Sequence, residues 1–197
     1  MPDGKIFALV FNGFADWEPA HALAELRRSG GYEVATVGFD RSAVISMGGM
    51  RVEPSGTLED VDVDDAKLFL LPGGDMWEGD YPRQTLERVL HACRDARVPI
   101  AAICGATLAV ARAGLLADRK HTSNAPEYLS GMVPGYGGDA RYVTDLATRD
   151  DGVITASGLG AVDFAREIFA ELRVFSEDDL SAWYGLFKHG TFAQPSH

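Results

Sequence analysis

Short apolar runs alternate with helix-patterned stretches along most of this chain, and that alternation restricts the fold more than any other feature. Residues 5–11 (KIFALVF), 32–39, 67–71, 99–103 and 153–156 each read as a buried strand. Behind them, apolar positions recur at helical spacing: Pro19, Ala22, Leu23 and Leu26, then Leu86, Val89, Leu90 and Cys93, then Val162, Ala165, Ile168, Phe169 and Leu172. A last helix carries the stripe Leu180, Trp183, Tyr184 and Phe187, opened by Ser176 and Asp179 as a capping pair. Asp16 is expected to N-cap the first helix, with Pro19 tolerated in its first turn. A weaker hairpin pattern spans residues 45–52 and turns at Gly48-Gly49. Strands joined through helices require right-handed crossovers, and so predict an α/β fold: a doubly wound, mostly parallel sheet with helices on both faces.

The run 99–106 carries the chemistry. An apolar strand ends at Cys104, and Gly105-Ala106 opens a helical stretch through Leu108, Ala109 and Ala111. A thiol on a sharp strand-to-helix turn with small neighbours has the layout of a nucleophile elbow. A helix N-terminus beneath it favours thiolate over thiol. The competing reading is a buried cysteine filling a strand end.

Composition narrows the classes. A chain of 197 residues that is 46% hydrophobic suits one domain, here residues 1–190, with 191–197 expected to fray. A net charge of −11 argues against nucleic-acid or anionic-membrane partners. No apolar run reaches the length of a membrane span, and the segment Met-Pro-Asp-Gly-Lys shows no signal-peptide pattern. Two cysteines make no disulfide framework and fit a reducing, cytoplasmic setting. Cys93 falls on the apolar face of its helix, and His91 two residues away makes a poor metal pair with it, so no metal site is expected.

In a parallel sheet the ligand site lies outside the carboxyl ends of the strands. The tips there are 12–18, Pro72-Gly73-Gly74-Asp75, Cys104 and Ser157-Gly158-Leu159-Gly160, so Glu18, the Gly73-Gly74 amides and Cys104 are expected to meet. A thiolate there can attack a carbonyl, the Gly74 and Gly105 amides can hold an oxyanion, and a carboxyl can move protons. Glu18 could equally be a helix-dipole partner and Gly73-Gly74 a plain turn. Trp17 and Trp77 are candidates to wall the pocket, with Tyr128 and Tyr136 near its mouth. Gly158-Leu-Gly160 lacks the third glycine of a dinucleotide fingerprint, so no nucleotide cofactor is expected.

These residues resemble the ThiJ/PfpI superfamily, which shares a flavodoxin-like fold with class I glutamine amidotransferases. The carriers are the 13–18 segment, Arg27-Arg28, Thr57-Leu58-Glu59-Asp60, Leu70-Leu71-Pro72-Gly73-Gly74 and Ala101-Ala102-Ile103-Cys104-Gly105-Ala106, and the likeness covers about residues 4–188. The resemblance implies that Cys104 is the reactive residue and that Glu18 hydrogen-bonds it. It also implies a homodimer, and action on a small carbonyl or amide substrate, glyoxalase- or deglycase-like or amidase-like, with no added cofactor. Glu18→Gln is then expected to depress turnover and raise the Cys104 pKa.

The departures are specific. Many members carry a histidine shortly after the elbow helix, where this chain has Lys120-His121-Thr122-Ser123-Asn124, with Asn124 at the histidine position. If the segment is extended, His121 points away from the face that Asn124 occupies. A Cys–His dyad is therefore not expected, and His121, Asn124, Asp16 and Trp17 are accessory candidates. The C-terminal His and Glu of a glutaminase triad are not supplied by His189-Gly190-Thr191, which argues against glutamine hydrolysis. The alternatives are a redox or stress sensor in which Cys104 is oxidised, and an interaction protein with a vestigial pocket.

Overall fold

The computed structural model describes residues 4–192. The strands are β1 (Lys5–Leu9), β2 (Glu33–Gly38), β3 (Val44–Ile45), β4 (Arg51–Val52), β5 (Gly56–Thr57), β6 (Ala66–Leu71), β7 (Ile100–Ile103), β8 (Ala147–Asp150) and β9 (Val153–Ala156). The helices are α1 (Trp17–Arg28), α2 (Arg83–Ala96), α3 (Thr107–Arg112), α4 (Pro126–Met132), α5 (Ala161–Leu172) and α6 (Glu177–His189). Among the described residues, seven strands form one sheet in the order β5-β2-β1-β6-β7-β9-β8. All neighbours pair in parallel except β8, which runs antiparallel to β9 at the edge. The strand order reverses between β1, which is followed in the chain by its neighbour β2, and β6 on its other side; this is the switch point at which a doubly wound sheet opens a crevice.

The period-two alternation of the strands sorts the core into two layers. Phe7, Leu9, Phe69, Leu71, Ile100, Ala102 and Val153 pack with Leu86, Leu90 and Cys93 of α2, the α3 residues Leu108–Ala111 and Leu129 of α4. Ile6, Leu68, Leu70, Ala101, Ile103 and Ile154 face the other way, onto Ala22 and Leu26 of α1, Phe164, Ile168 and Phe169 of α5 and Trp183 of α6. Adjacent residues on one strand thus serve opposite layers, as β geometry requires.

Several boundaries differ from expectation. The Asp16 side chain does not cap α1. Its backbone is already helical (φ −66°, ψ −26°), which turns the carboxylate away from the first-turn amides. The carboxylate instead accepts the Ser46 hydroxyl and, at 3.0 Å, the Gly48 N–H, tying the β3–β4 hairpin to the β1 tip. Ser176 does cap α6, accepting from Asp179 N at 3.1 Å. The α6 stripe buries less than its pattern suggested: Trp183 is inside, whereas Phe187 is 43% exposed. Of the tail expected to fray, Thr191 is bonded back to Gly185 O, and residues 193–197 lie outside the described residues.

Candidate active site

Cys104 stands at the end of β7 with φ +59°, a left-handed conformation that costs a non-glycine residue of the order of 1–3 kcal/mol and recurs where a side chain is held out for use. The surroundings hold it there. The Thr107 hydroxyl donates to Cys104 O at 2.7 Å and meets the Ser123 hydroxyl at 2.7 Å. A side chain on Gly105 would put its Cβ 3.0 Å from Trp77 Cδ1 and 3.1 Å from Gly74 O, so the residue after the thiol has to be small. Trp77 forms the floor: it is fully buried, its Nε1 donates to Pro72 O at 2.8 Å, and Phe11 packs edge-on to it.

Four strand tips converge on the sulfur. Glu18, in the first turn of α1, is 2% exposed, lies beside the Cys104 side chain and accepts the Gly73 N–H at 2.6 Å. A Cβ on Gly73 would fall 2.6 Å from Glu18 Oε2 and 2.7 Å from Cys104 Cβ. One on Gly158, after β9, would fall 2.9 Å from Cys104 Sγ and 3.2 Å from Glu18 Oε1. These glycines leave the thiol and carboxyl pressed between bare backbone. Asn124 completes the ring: its Nδ2 donates to Cys104 Sγ at 3.4 Å and its Oδ1 accepts the Gly158 N–H at 3.0 Å.

Burial dominates the electrostatics of the pair. It pushes the Glu18 carboxyl up, against the downward pull of the Gly73 N–H and the Cys104 contact. It pushes the Cys104 thiol up as well, with Asn124 pulling down, the Glu18 charge pushing up and the Gly105 N–H pulling down. A thiol simply depressed by a helix N-terminus, the expectation from sequence, is therefore not what surrounds Cys104: desolvation outweighs the donors. Because Glu18 pushes the thiol up, its replacement by Gln lowers the thiol pKa rather than raising it as the sequence suggested. Two acidic groups this close bear on each other's ionisation, so removing either is expected to change how the other titrates. Cys93, wholly buried on α2, is pushed up to about 12 by burial and is inert by comparison.

The remaining candidates separate. His121 does not join the site. It is fully buried, its Nδ1–H donates to Arg119 O at 2.7 Å, and its Nε2 accepts the Tyr136 hydroxyl. Burial also holds its pKa down, leaving a neutral ring engaged at both nitrogens. Tyr136 is thereby committed to His121 rather than to the mouth of the site. Trp17 is 52% exposed and does not enclose Glu18; the enclosing groups are the glycine backbones and the sulfur. Asp16 serves the hairpin. Tyr128 lies within electrostatic reach of Cys104 and donates to Glu78 Oε1 at 3.0 Å, its pKa raised by burial and then by Glu78. Gly74, expected as an oxyanion donor, adopts φ +154°, where a Cβ would strike Phe11 Cε2 at 2.7 Å. Its N–H has no partner among the described residues, whereas Gly73, not singled out as a donor, holds Glu18. Trp77, a candidate wall from its place after Pro-Gly-Gly-Asp, is buried against Gly105 beneath the thiol's turn. Among the described residues no cluster of histidine, cysteine or carboxylate groups is arranged to hold a metal, and no helix is long and apolar enough to cross a membrane.

A strained cysteine elbow at the carboxyl edge of a doubly wound sheet, beside a buried glutamate, defines a class of protein. The model of the DJ-1/PfpI family matches residues 4–171, and the chain belongs to that family. It is 37% identical over 196 residues to the "Uncharacterized protease YoaZ" of Bacillus subtilis, covering 95% of this chain and 92% of that one. It is similar in structure to a thiJ/pfpI family protein from Bacillus anthracis, with a TM-score of 0.89 at 35% identity, covering 95% of this chain and 92% of the other. A more distant likeness, 28% over 119 residues (60% of this chain and 71% of the relative), is to "Deglycase TK1284" of Thermococcus kodakarensis. Relatives of this chain are thus named as proteases and deglycases, in keeping with a cysteine-dependent, hydrolase-type enzyme or a sensor.

Proposed function

We propose that the protein is a cysteine-dependent enzyme acting on a small carbonyl or amide compound, with Cys104 as nucleophile and Glu18 as its proton partner. The observation that supports this most is the buried contact between Glu18 and a thiol held at φ +59°. As the sulfur forms its bond to the carbonyl carbon, the thiol proton passes to Glu18 and the π electrons move onto the carbonyl oxygen. The Gly74 N–H, left without a partner among the described residues, is the proposed donor to that oxygen. With an α-oxoaldehyde, Glu18 returns the proton to the oxygen to give a hemithioacetal. Transfer of its C1 hydrogen as a proton to C2, the electrons shifting through an enediol, gives a thioester, which water cleaves to the 2-hydroxy acid and the free thiol. With an amide, the proton goes to the departing amine, and water then cleaves the thioester and restores the thiol. Deglycase names among the relatives favour reactive aldehydes as the first substrates to test.

Consumption of methylglyoxal and of small aryl amides by the native chain, Cys104→Ser and Glu18→Gln tests the proposal. Turnover lost in Cys104→Ser and cut at least about a hundredfold in Glu18→Gln is the expected result. Activity retained in Cys104→Ser would end the nucleophile reading. The same proposal takes the assembly to be a homodimer, checked by light scattering.

A second reading rests on the contrast between the cysteines: Cys104 is half-buried and Cys93 wholly buried. Peroxide would oxidise the Cys104 thiolate to a sulfenate and then a sulfinate, each step releasing the reduced oxidant as water or hydroxide. Mass spectrometry after mild peroxide separates the two sulfurs, and equal oxidation of both would remove this reading.

A further inference from the structure

Asn124 occupies the place where a base would be looked for, and its surroundings dictate how it acts. The Gly158 backbone N–H can only donate, and it meets Asn124 Oδ1 at 3.0 Å. That contact assigns the two ends of the amide and turns Nδ2 toward Cys104 Sγ, 3.4 Å away. The loop carrying it is fixed independently. Thr122 N–H donates to Thr155 Oγ1 at 2.9 Å, Thr122 Oγ1 to Asp145 O at 2.8 Å, and Ser123 bonds both Thr107 and the Tyr142 hydroxyl. Asn124 itself is exposed at the rim, so the fold does not require its side chain for packing.

We propose that Asn124 is a catalytic residue of the Cys104 site, a fixed hydrogen-bond donor that stabilises the sulfur anion and accepts no proton, leaving Glu18 as the sole acceptor for the thiol proton. The proposal rests on the reading of Cys104 and Glu18 as a working pair. With its carbonyl engaged by Gly158, the side chain offers only N–H groups to the sulfur. Where a histidine would bring a second titration, the amide brings a donor that is present at every pH. The other titratable groups facing the thiol are Glu18 from α1 and Tyr128 from α4, the latter bonded to Glu78. His121 is turned to Arg119 and Tyr136 and does not contribute.

The experiment is iodoacetamide alkylation of Cys104 against pH, followed by mass spectrometry, in native protein, Asn124→Ala, Asn124→Asp, Glu18→Gln and the Glu18→Gln/Asn124→Ala double variant. In the Glu18→Gln background the thiol titrates without its coupled carboxyl, so the donor's effect reads directly as a midpoint. Removing the amide there is expected to raise that midpoint by about one pH unit, and Asn124→Ala to slow native alkylation at neutral pH about tenfold. Asn124→Asp keeps an acceptor for Gly158 and loses the donor. A residue that merely anchored the loop would tolerate that change, whereas the donor role requires alkylation at least as slow as in Asn124→Ala. Midpoints unchanged on removing Asn124, or slowing confined to Asn124→Asp, would overturn the proposal. Failure of the underlying pair looks different: native and Glu18→Gln profiles would then coincide, whatever the Asn124 variants do.

Discussion

Gly73 is where the site tolerates change least. A methyl group there meets Glu18 Oε2 at 2.6 Å and Cys104 Cβ at 2.7 Å; the first is held by burial and the Gly73 N–H, the second by the backbone of the β7 turn. Gly73→Ala must displace Glu18, Cys104 or the β6 tip, and overpacking of this kind costs about 1–3 kcal/mol. Thermal unfolding should report that loss, and turnover should fall further than stability because the thiol–carboxyl contact is the part displaced. A Gly73→Ala variant with native melting and native kinetics would show that the contact is looser than the geometry demands. Much of this residue-scale picture was readable beforehand, since Cys104, Glu18 and the glycine pair lie at strand tips. The choice of Gly73 over Gly74 as the donor to Glu18 was not, because it depends on the φ and ψ of two adjacent glycines. Nor was the sign of the electrostatics: a motif shows which groups meet, whereas desolvation depends on how completely the surrounding backbone closes over them.

At the scale of elements, the end of α1 carries its own ionic device. Glu25 is 5% exposed; its carboxylate accepts the Ser29 hydroxyl at 2.7 Å and the Arg28 guanidinium at 2.5 Å. Burial pushes its pKa up, but Ser29 and Arg28 together outweigh that, and the net shift is downward. A depressed folded-state pKa means stability present above the unfolded value of about 4.3 and lost as pH falls through the folded value. Glu25→Gln should therefore be less stable than the native chain at pH 7, by about 1 kcal/mol or less since Arg28 is largely solvated, with the two converging on acidification through that window. Denaturant midpoints at pH 7 and pH 3 measure this, and a gap that widened in acid would reverse the sign. The main strands and helices were legible from periodicity. The short β5, the edge strand β8 and the short α4 were not, because two to seven residues give too little pattern to separate them from loop. Asp16 misled for a related reason: a cap is decided by backbone angles at one residue, and the hairpin competed for its carboxylate.

The site belongs to the whole molecule. Glu18 follows β1, Gly73 follows β6, Cys104 follows β7 and Gly158 follows β9, so the contact between thiol and carboxyl exists only once the parallel sheet has ordered four separated segments. The alternation of strands and helices made that convergence foreseeable in outline, and the DJ-1/PfpI family match spans every strand of the sheet. If Cys104 and Glu18 work as the proposed pair, folding makes one titrating unit of them. Alkylation of Cys104 as a function of pH, in the native chain and in Glu18→Gln, tests it most directly. The native rate should rise in two steps, a partial plateau as the pair gives up its first proton and a second rise at high pH as it gives up the other. Glu18→Gln should show a single step to the full rate. A single native step superimposable on that of Glu18→Gln would mean that the two groups titrate independently, and would contradict the proposed pairing.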